Sequence, residues 1–250
     1  MSVINQRLSL EDAKAEASRI NDVSDSILGH ISERYQTRKD KSKPLVVLLG
    51  ESHADPSHRA VQLSVMSRLY QSLDSDGVSC GMEGHLRPVT ELLKSMMSES
   101  SYPPNQLVRI KRVSQYLRRC PADDPVNLSA AVNFASVTDS PKMYKALQYL
   151  LLRDGVQSFF NDVATISGKS GSLEIDFSDG KVQGYYKNFV YKEKAPDMAG
   201  RGACIDMASL HGTYFRNYFM ACAANEHIRE REPKLFIQLC GAAHVNGLWQ

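Results

Sequence analysis

Two stretches of this chain carry the residue types of a catalytic or metal-binding centre, and the same device delivers both. Leu45-Val46-Val47-Leu48-Leu49-Gly50 runs into Glu51-Ser52-His53, and Leu235-Phe236-Ile237-Gln238-Leu239-Cys240-Gly241 runs into Ala242-Ala243-His244. Each reads as a buried strand that stops at a tight turn, with a histidine just beyond it. Ligands of α/β sheets bind at the carboxyl ends of the strands, so two histidines from nearly opposite ends of the chain are expected at one shared site. Glu51 and His53 can face a single cleft, where the carboxylate either orients the imidazole and raises its basicity or joins it in ligating a metal. Glu83 ends a second apolar run, a place where a carboxylate is costly unless exposed or paired. If the strands at 45–50 and 78–83 are neighbours, Glu83 stands beside Glu51 and His53. His244 gains weight as a ligand from its matching position with His53. His58 and Gln62 lie one helical turn apart after the first motif and would line the cleft mouth. Two imidazoles with carboxylates suit manganese, iron, cobalt or zinc, and the donor set alone does not choose among them. Arg216 and Asn217 sit on a long late helix and by spacing alone read as a surface pair. His30, His211 and His227 have no supporting pattern, and His85 can be read either way.

The elements that must position these residues follow from periodicity. Residues 9–36 read as a helix, opened by a Ser9/Asp12 capping box and striped by Ala13, Ala17, Ile20, Val23, Ile27 and Ile31. The basic stretch from Arg38 to Lys43 marks a boundary, giving an N-terminal helical extension (1–43) and a main domain (44–250) with an insertion at about 98–203. Ser57 is the expected N-cap of an amphipathic helix over 58–74, with Val61, Val65, Leu69 and Leu73 in step. Val78–Glu83 is a second strand, completing a βαβ unit. Leu92 to Met97, 107–119 and 141–166 read as helices, with a loop at 98–104. The five arginines and lysines of 107–119 read as a solvated face. Leu173, Ile175 and Phe177 alternate before Asp179-Gly180 and Val182, which predicts a β-hairpin running to about Tyr191. Residues 204–229 form a long helix and Lys234–Cys240 the last strand. The fold class is α/β: three layers, a mixed and mainly parallel sheet with helices on both faces, an N-terminal helical extension and a β-hairpin insertion.

Composition narrows the functions. The chain has 250 residues, 42% hydrophobic and 23% charged, with a net charge of +2. That gives no nucleic-acid-binding field. No apolar run approaches the roughly 20 residues of a membrane span, and Met1–Arg7 is not a signal peptide. The chain therefore reads as cytoplasmic, with signal-independent secretion left open. Its five cysteines include no CxxC pair and read as core residues. No G-x-S-x-G elbow, HExxH helix, Walker A or G-x-G-x-x-G loop is present.

Four motifs in order carry a resemblance: Gly50-Glu51-Ser52-His53, Gly81-Met82-Glu83, Arg216-Asn217-x-x-Met220 and Gly241-Ala242-Ala243-His244-Val245-x-Gly247-Leu248. Together they resemble the superfamily joining erythromycin esterases, ChaN-like haem-binding proteins, TraB/Tiki proteins and toxin domains, over residues 45–97 and 205–248. Residues 50–62 are most similar to the ChaN-like branch, and the last two motifs to TraB/Tiki. The resemblance implies a hydrolase acting on a peptide or a small ester or lactone, with Glu51, His53, Glu83 and His244 at its core. Those four residues would be the ligands of a divalent metal if one is bound. Arg216 would be the partner of an oxyanion or a substrate carboxylate. The ChaN branch implies instead a haem-binding protein without turnover, with His53 or His58 on the iron. A toxin-type or effector protease domain is a third expectation. Relatives continue past the last motif, so the chain reads either as a minimal domain or as a truncated one.

Overall fold

The computed structural model describes residues 10–52, 55–72, 77–85, 157–168, 171–192 and 205–245. Its centre is a four-stranded, wholly parallel sheet of β1 (Leu45–Glu51), β2 (Val78–His85), β3 (Gln157–Asp162) and β6 (Leu235–Gly241), in the order β1-β6-β2-β3. The two strands expected to be neighbours are therefore one place apart. β6 lies between them, pairing Glu51 with Gly241 on one side and Met82 with Leu239 on the other. A continuous apolar run is what a strand covered on both faces requires, and every residue of β6 is buried.

Alternation along the strands divides the side chains between two helical layers. On one face Leu49, Val78, Cys80, Met82, Leu235, Ile237 and Leu239 pack against Val65, Met66 and Leu69 of α2 (Pro56–Ser72) and Ile31 of α1 (Leu10–Thr37). The N-terminal helix thus contributes to the main core. It is also pinned to α2 by the bonds of Arg68 to Asn21 and Asp25. On the other face α4 (Leu210–Arg231) lies over β2 and β3, with α3 (Gly180–Lys192) outside it. Tyr186 and Phe189 of α3 meet Phe215 of α4 at ring-centroid distances of 5.0 and 5.6 Å. Among the described residues no helix is long and apolar enough to cross a membrane.

Three local expectations are corrected. The hairpin exists but comes earlier: β4 (Thr165–Ser167) pairs antiparallel with β5 (Leu173–Ile175) in a separate two-stranded sheet. Asp179-Gly180 opens α3 instead of turning a hairpin, because the Asp179 carboxylate accepts the backbone N–H of Lys181. Val182, Tyr186 and Phe189 then fall on one helical face and are buried together. Residues 157–162, expected to be helical, form β3; pairing of Gly81 with Phe159 in parallel register is a long-range choice that local periodicity does not carry. The N-cap of α2 is Asp55, whose carboxylate accepts from Ser57 N at 2.9 Å with Pro56 first in the helix, so Ser57 is not the cap. The expectations for 92–119 and for 141–156 lie outside the described residues.

Candidate active site

The carboxyl ends of β2, β3 and β6 bring together Glu83, Asp162 and Gly241. Over them α4 sets Arg216 and Asn217, and α5 (Ala242–Val245), which continues directly from β6, sets His244. The Arg216 guanidinium is the hub. Its Nε donates to both oxygens of Asp162, at 3.2 and 3.1 Å, and its Nη2 donates to Asp162 Oδ2 and, at 2.8 Å, to Glu83 Oε1. Nη1 takes no part in these bonds. The other Glu83 oxygen accepts the Gly241 backbone N–H at 2.6 Å, just past the last paired residue of β2 in the β2–β6 ladder.

His244 is fixed from both sides. Its Nδ1 lies 2.6 Å from Asn217 Oδ1, which can only accept, so Nδ1 carries the hydrogen. Its Nε2 faces Glu83 Oε1 at 3.5 Å. The cluster is close to fully buried, with side-chain exposures of 8% for Arg216, 5% for Asp162, 5% for His244 and 12% for Glu83. Burial alone would push the Glu83 carboxyl upward. The hydrogen bond and charge of His244 in its protonated form, the Gly241 N–H and Arg216 outweigh it and hold the carboxyl well below the usual range. Burial likewise lowers Arg216, but Asp162 and then Glu83 overrule it, so the guanidinium is more firmly charged than usual. The Cys240 thiol is pushed up to about 12, by burial first and then by the carboxylates of Glu83, Glu51 and Asp162. It is no nucleophile. Burial raises Cys80 as well, consistent with both cysteines being core residues.

A second buried polar contact supports this arrangement. Gln238, on the α4 face of β6, and Asn161 exchange amide hydrogen bonds of 2.7 and 3.1 Å. Gly81 leaves the room: a Cβ there would run into Gln238 Oε1 and stand 3.0 Å from Asn161 Nδ2.

The expected site residues fall into two groups. Glu83, Arg216, Asn217 and His244 come together, and Arg216 and Asn217 are buried at 6% and 4% exposure instead of forming a surface pair. Asp162 belongs with them and was not anticipated. The signal was present in Phe159-Phe160-Asn161-Asp162, an apolar run closed by an acid as in Met82-Glu83. Glu51 is buried on the far side of β6 from Glu83. His58 and Gln62 do not join the cluster; they line a pocket on the α1/α2 face, where Gln62 Nε2 donates to Leu49 O at 2.8 Å. His53 lies outside the described residues, as do Cys120, Cys204 and Gly247-Leu248. The histidines without a pattern have local tasks: His30 Nδ1 meets Ser26 O, His211 meets the Tyr186 hydroxyl, and His227 meets the Ser79 hydroxyl.

The donor chemistry bears on the groups the resemblance implies. Of the four expected metal ligands, His244 Nε2 and Glu83 Oε1 face one another, but that oxygen already accepts from the Arg216 cation. Among the described residues no three of His, Cys, Asp and Glu are grouped to hold a metal ion. His53, another of the four expected ligands, lies outside the described residues. Of the two expected haem ligands, His58 is the one among the described residues. Its Nδ1 accepts the Ser52 backbone N–H at 3.1 Å, so the neutral ring carries its hydrogen on Nε2.

No family model matches the chain, and neither a curated protein nor a solved structure matches it.

Proposed function

We propose that this chain is a hydrolase of amide or ester bonds, with His244 as general base and Arg216 as the group that meets the developing oxyanion. The observation that carries the reading is the oriented imidazole: a buried histidine whose Nδ1–H is tied to Asn217 and whose Nε2 faces an ionised carboxylate. Triad-type sites use the same logic, in which a third group fixes the tautomer and an acid stabilises the imidazolium.

In this scheme His244 starts neutral, with its hydrogen on Nδ1, and a water molecule attacks the substrate carbonyl while Nε2 takes one of its protons. Glu83 Oε1, 3.5 Å from Nε2, stabilises the cation so formed. The carbonyl oxygen, now negative, is met by Arg216 Nη1, the guanidinium edge left over by Asp162 and Glu83. Collapse of the tetrahedral intermediate expels the amine or alkoxide, and His244 returns its proton to that leaving group. Glu83 is too strong an acid, as held here, to serve as the base itself.

The test uses the full chain with a casein-derived peptide mixture and with p-nitrophenyl butyrate. Each is assayed with EDTA and with added Mn2+, Co2+ or Zn2+. Hydrolysis that falls by about 10²-fold or more in His244→Ala, and also falls in Arg216→Lys, supports the reading. Absence of turnover under every condition, or turnover indifferent to His244, overturns it.

A further inference from the structure

We infer that the pocket between α1, α2 and the end of β1 is a second binding site. Its ligand would be a small molecule with a hydrocarbon body and an uncharged head that both donates and accepts a hydrogen bond, such as a hydroxyl or a primary amide. The site is separate from the Glu83–Arg216–His244 cluster, which lies on the α4 face of the sheet, and the inference does not depend on hydrolysis.

The pocket has a volume of about 480 Å³. It is open to solvent, and its volume falls within the range of small-molecule sites, roughly 300 to 1,000 Å³. Ile27 and Ile31 of α1, Val47 and Leu49 of β1, and Val61 and Val65 of α2 wall it, which fits a hydrocarbon. Val23, also on the wall, is 40% exposed.

Two histidines line the same pocket and have opposite capabilities. His30 Nδ1 meets the Ser26 carbonyl at 2.7 Å and must donate to it, so its Nε2 is an acceptor. His58 Nδ1 accepts from Ser52 N, so its Nε2–H is a donor. Asp55 Oδ2 lies 3.6 Å from His58 Nε2. Burial would raise the Asp55 carboxyl, but the Ser57 hydrogen bonds outweigh it and keep it ionised. An anionic head would meet that charge; a hydroxyl or amide can donate to His30 Nε2 or accept from His58 Nε2–H without opposing it. Gln62 is occupied in holding Leu49 O and is the polar floor of the pocket.

The experiment is methyl NMR of the full chain, labelled at Ile, Leu and Val, titrated with 1-octanol, octanamide and octanoate. Octanol and octanamide should shift the Ile27 and Val61 methyls saturably, and octanoate should bind at least several-fold more weakly. Val61→Trp, which fills the pocket, should abolish the shifts; Val23→Trp at the opening is the substitute if that variant does not fold. His58→Ala should weaken octanol about tenfold, the scale of one hydrogen bond, and His244→Ala should leave binding unchanged. Failure of both neutral probes to saturate, shifts that survive both tryptophans, or octanoate binding more tightly than octanol would overturn the inference. The hydrolase reading is untouched by any of these results, because no turnover is measured.

Discussion

The two copies of the strand–glycine–histidine pattern end in different chemistry, and the cause is where each strand sits. β6 is inside the sheet, buried at all seven positions, and passes straight into α5. His244 is therefore delivered into the interior, where side chains from β2 and α4 must satisfy it. β1 is at the edge of the sheet and its burial is partial. Its exit is held by short-range bonds instead: Ser52 N to His58 Nδ1, Ser57 N to Asp55 Oδ1. One local signal thus yields a charged, buried cluster in the centre and a locally capped turn beside an apolar pocket at the rim. The copies meet at Gly50, against which α5 packs.

The sharpest way to break this contrast is to remove the hub of the central copy. Arg216→Met leaves Glu83 and Asp162 buried without their cation, and loss of one partner from a buried ion pair costs about 3–5 kcal/mol. His58→Ala at the rim should cost less than about 1 kcal/mol. Urea unfolding of both variants checks the difference, and equal losses would mean that the two ends are supported alike. Glu83→Gln comes next, at about 2 kcal/mol near neutral pH, the scale of hydrogen bonds to a charged group. The folded protein depresses the Glu83 carboxyl relative to the unfolded chain. Its contribution is therefore complete above the ordinary carboxylate range and is lost as pH falls through that range toward the folded value. The gap in unfolding free energy between wild type and Glu83→Gln should narrow between pH 6 and pH 3, roughly across the usual carboxylate pKa. A gap that stays constant would show that Glu83 is not held as an anion.

The same contrast separates what was legible in the sequence from what was not. α1 and α2 could be read from their periods, and β1, β2 and β6 from short apolar runs closed by a punctuating residue. Asp179-Gly180 misled because a turn and a helix start share the same residues; the spacing of Val182, Tyr186 and Phe189 was the deciding signal. β3 was illegible for a different reason: its parallel pairing with β2 joins residues far apart in sequence, and a short apolar run is ambiguous between strand and helix. Glu83 and His244 could be picked out by type and position. That they share Arg216 and Asn217 could not, because α4 buries residues on several sides and gives no clean stripe. The insertion of β6 between β1 and β2, which parts Glu51 from Glu83, is a topological fact that no local pattern encodes.

Where the copies touch, Gly50→Ala measures how closely. An added Cβ would stand 2.5 Å from Val245 Cγ2 and 3.2 Å from Ala242 Cα. The valine can rotate but the α5 backbone can move only with β6 and His244. Overpacking of this kind costs about 1–3 kcal/mol. Because the strain falls on α5, it should also reduce any His244-dependent hydrolysis although the substitution lies in the other copy. A stability loss with unchanged turnover would show that α5 adjusts without carrying His244 with it.

The smallest expected effect is at the rim itself. Asp55→Ala removes the N-cap of α2 and leaves the Ser57 N–H without its acceptor. Such losses are about 1 kcal/mol, read by urea unfolding. The same carboxylate faces His58 Nε2 at 3.6 Å, so its removal takes the fixed negative charge from beside a residue that lines the apolar pocket. Octanoate should then approach octanol in affinity, whereas Asp55→Asn, which keeps a capping oxygen, should change the octanoate affinity with little loss of stability. The two substitutions separate the structural task of Asp55 from its electrostatic one. An octanoate affinity that follows stability in both variants would mean that the charge beside His58 selects nothing.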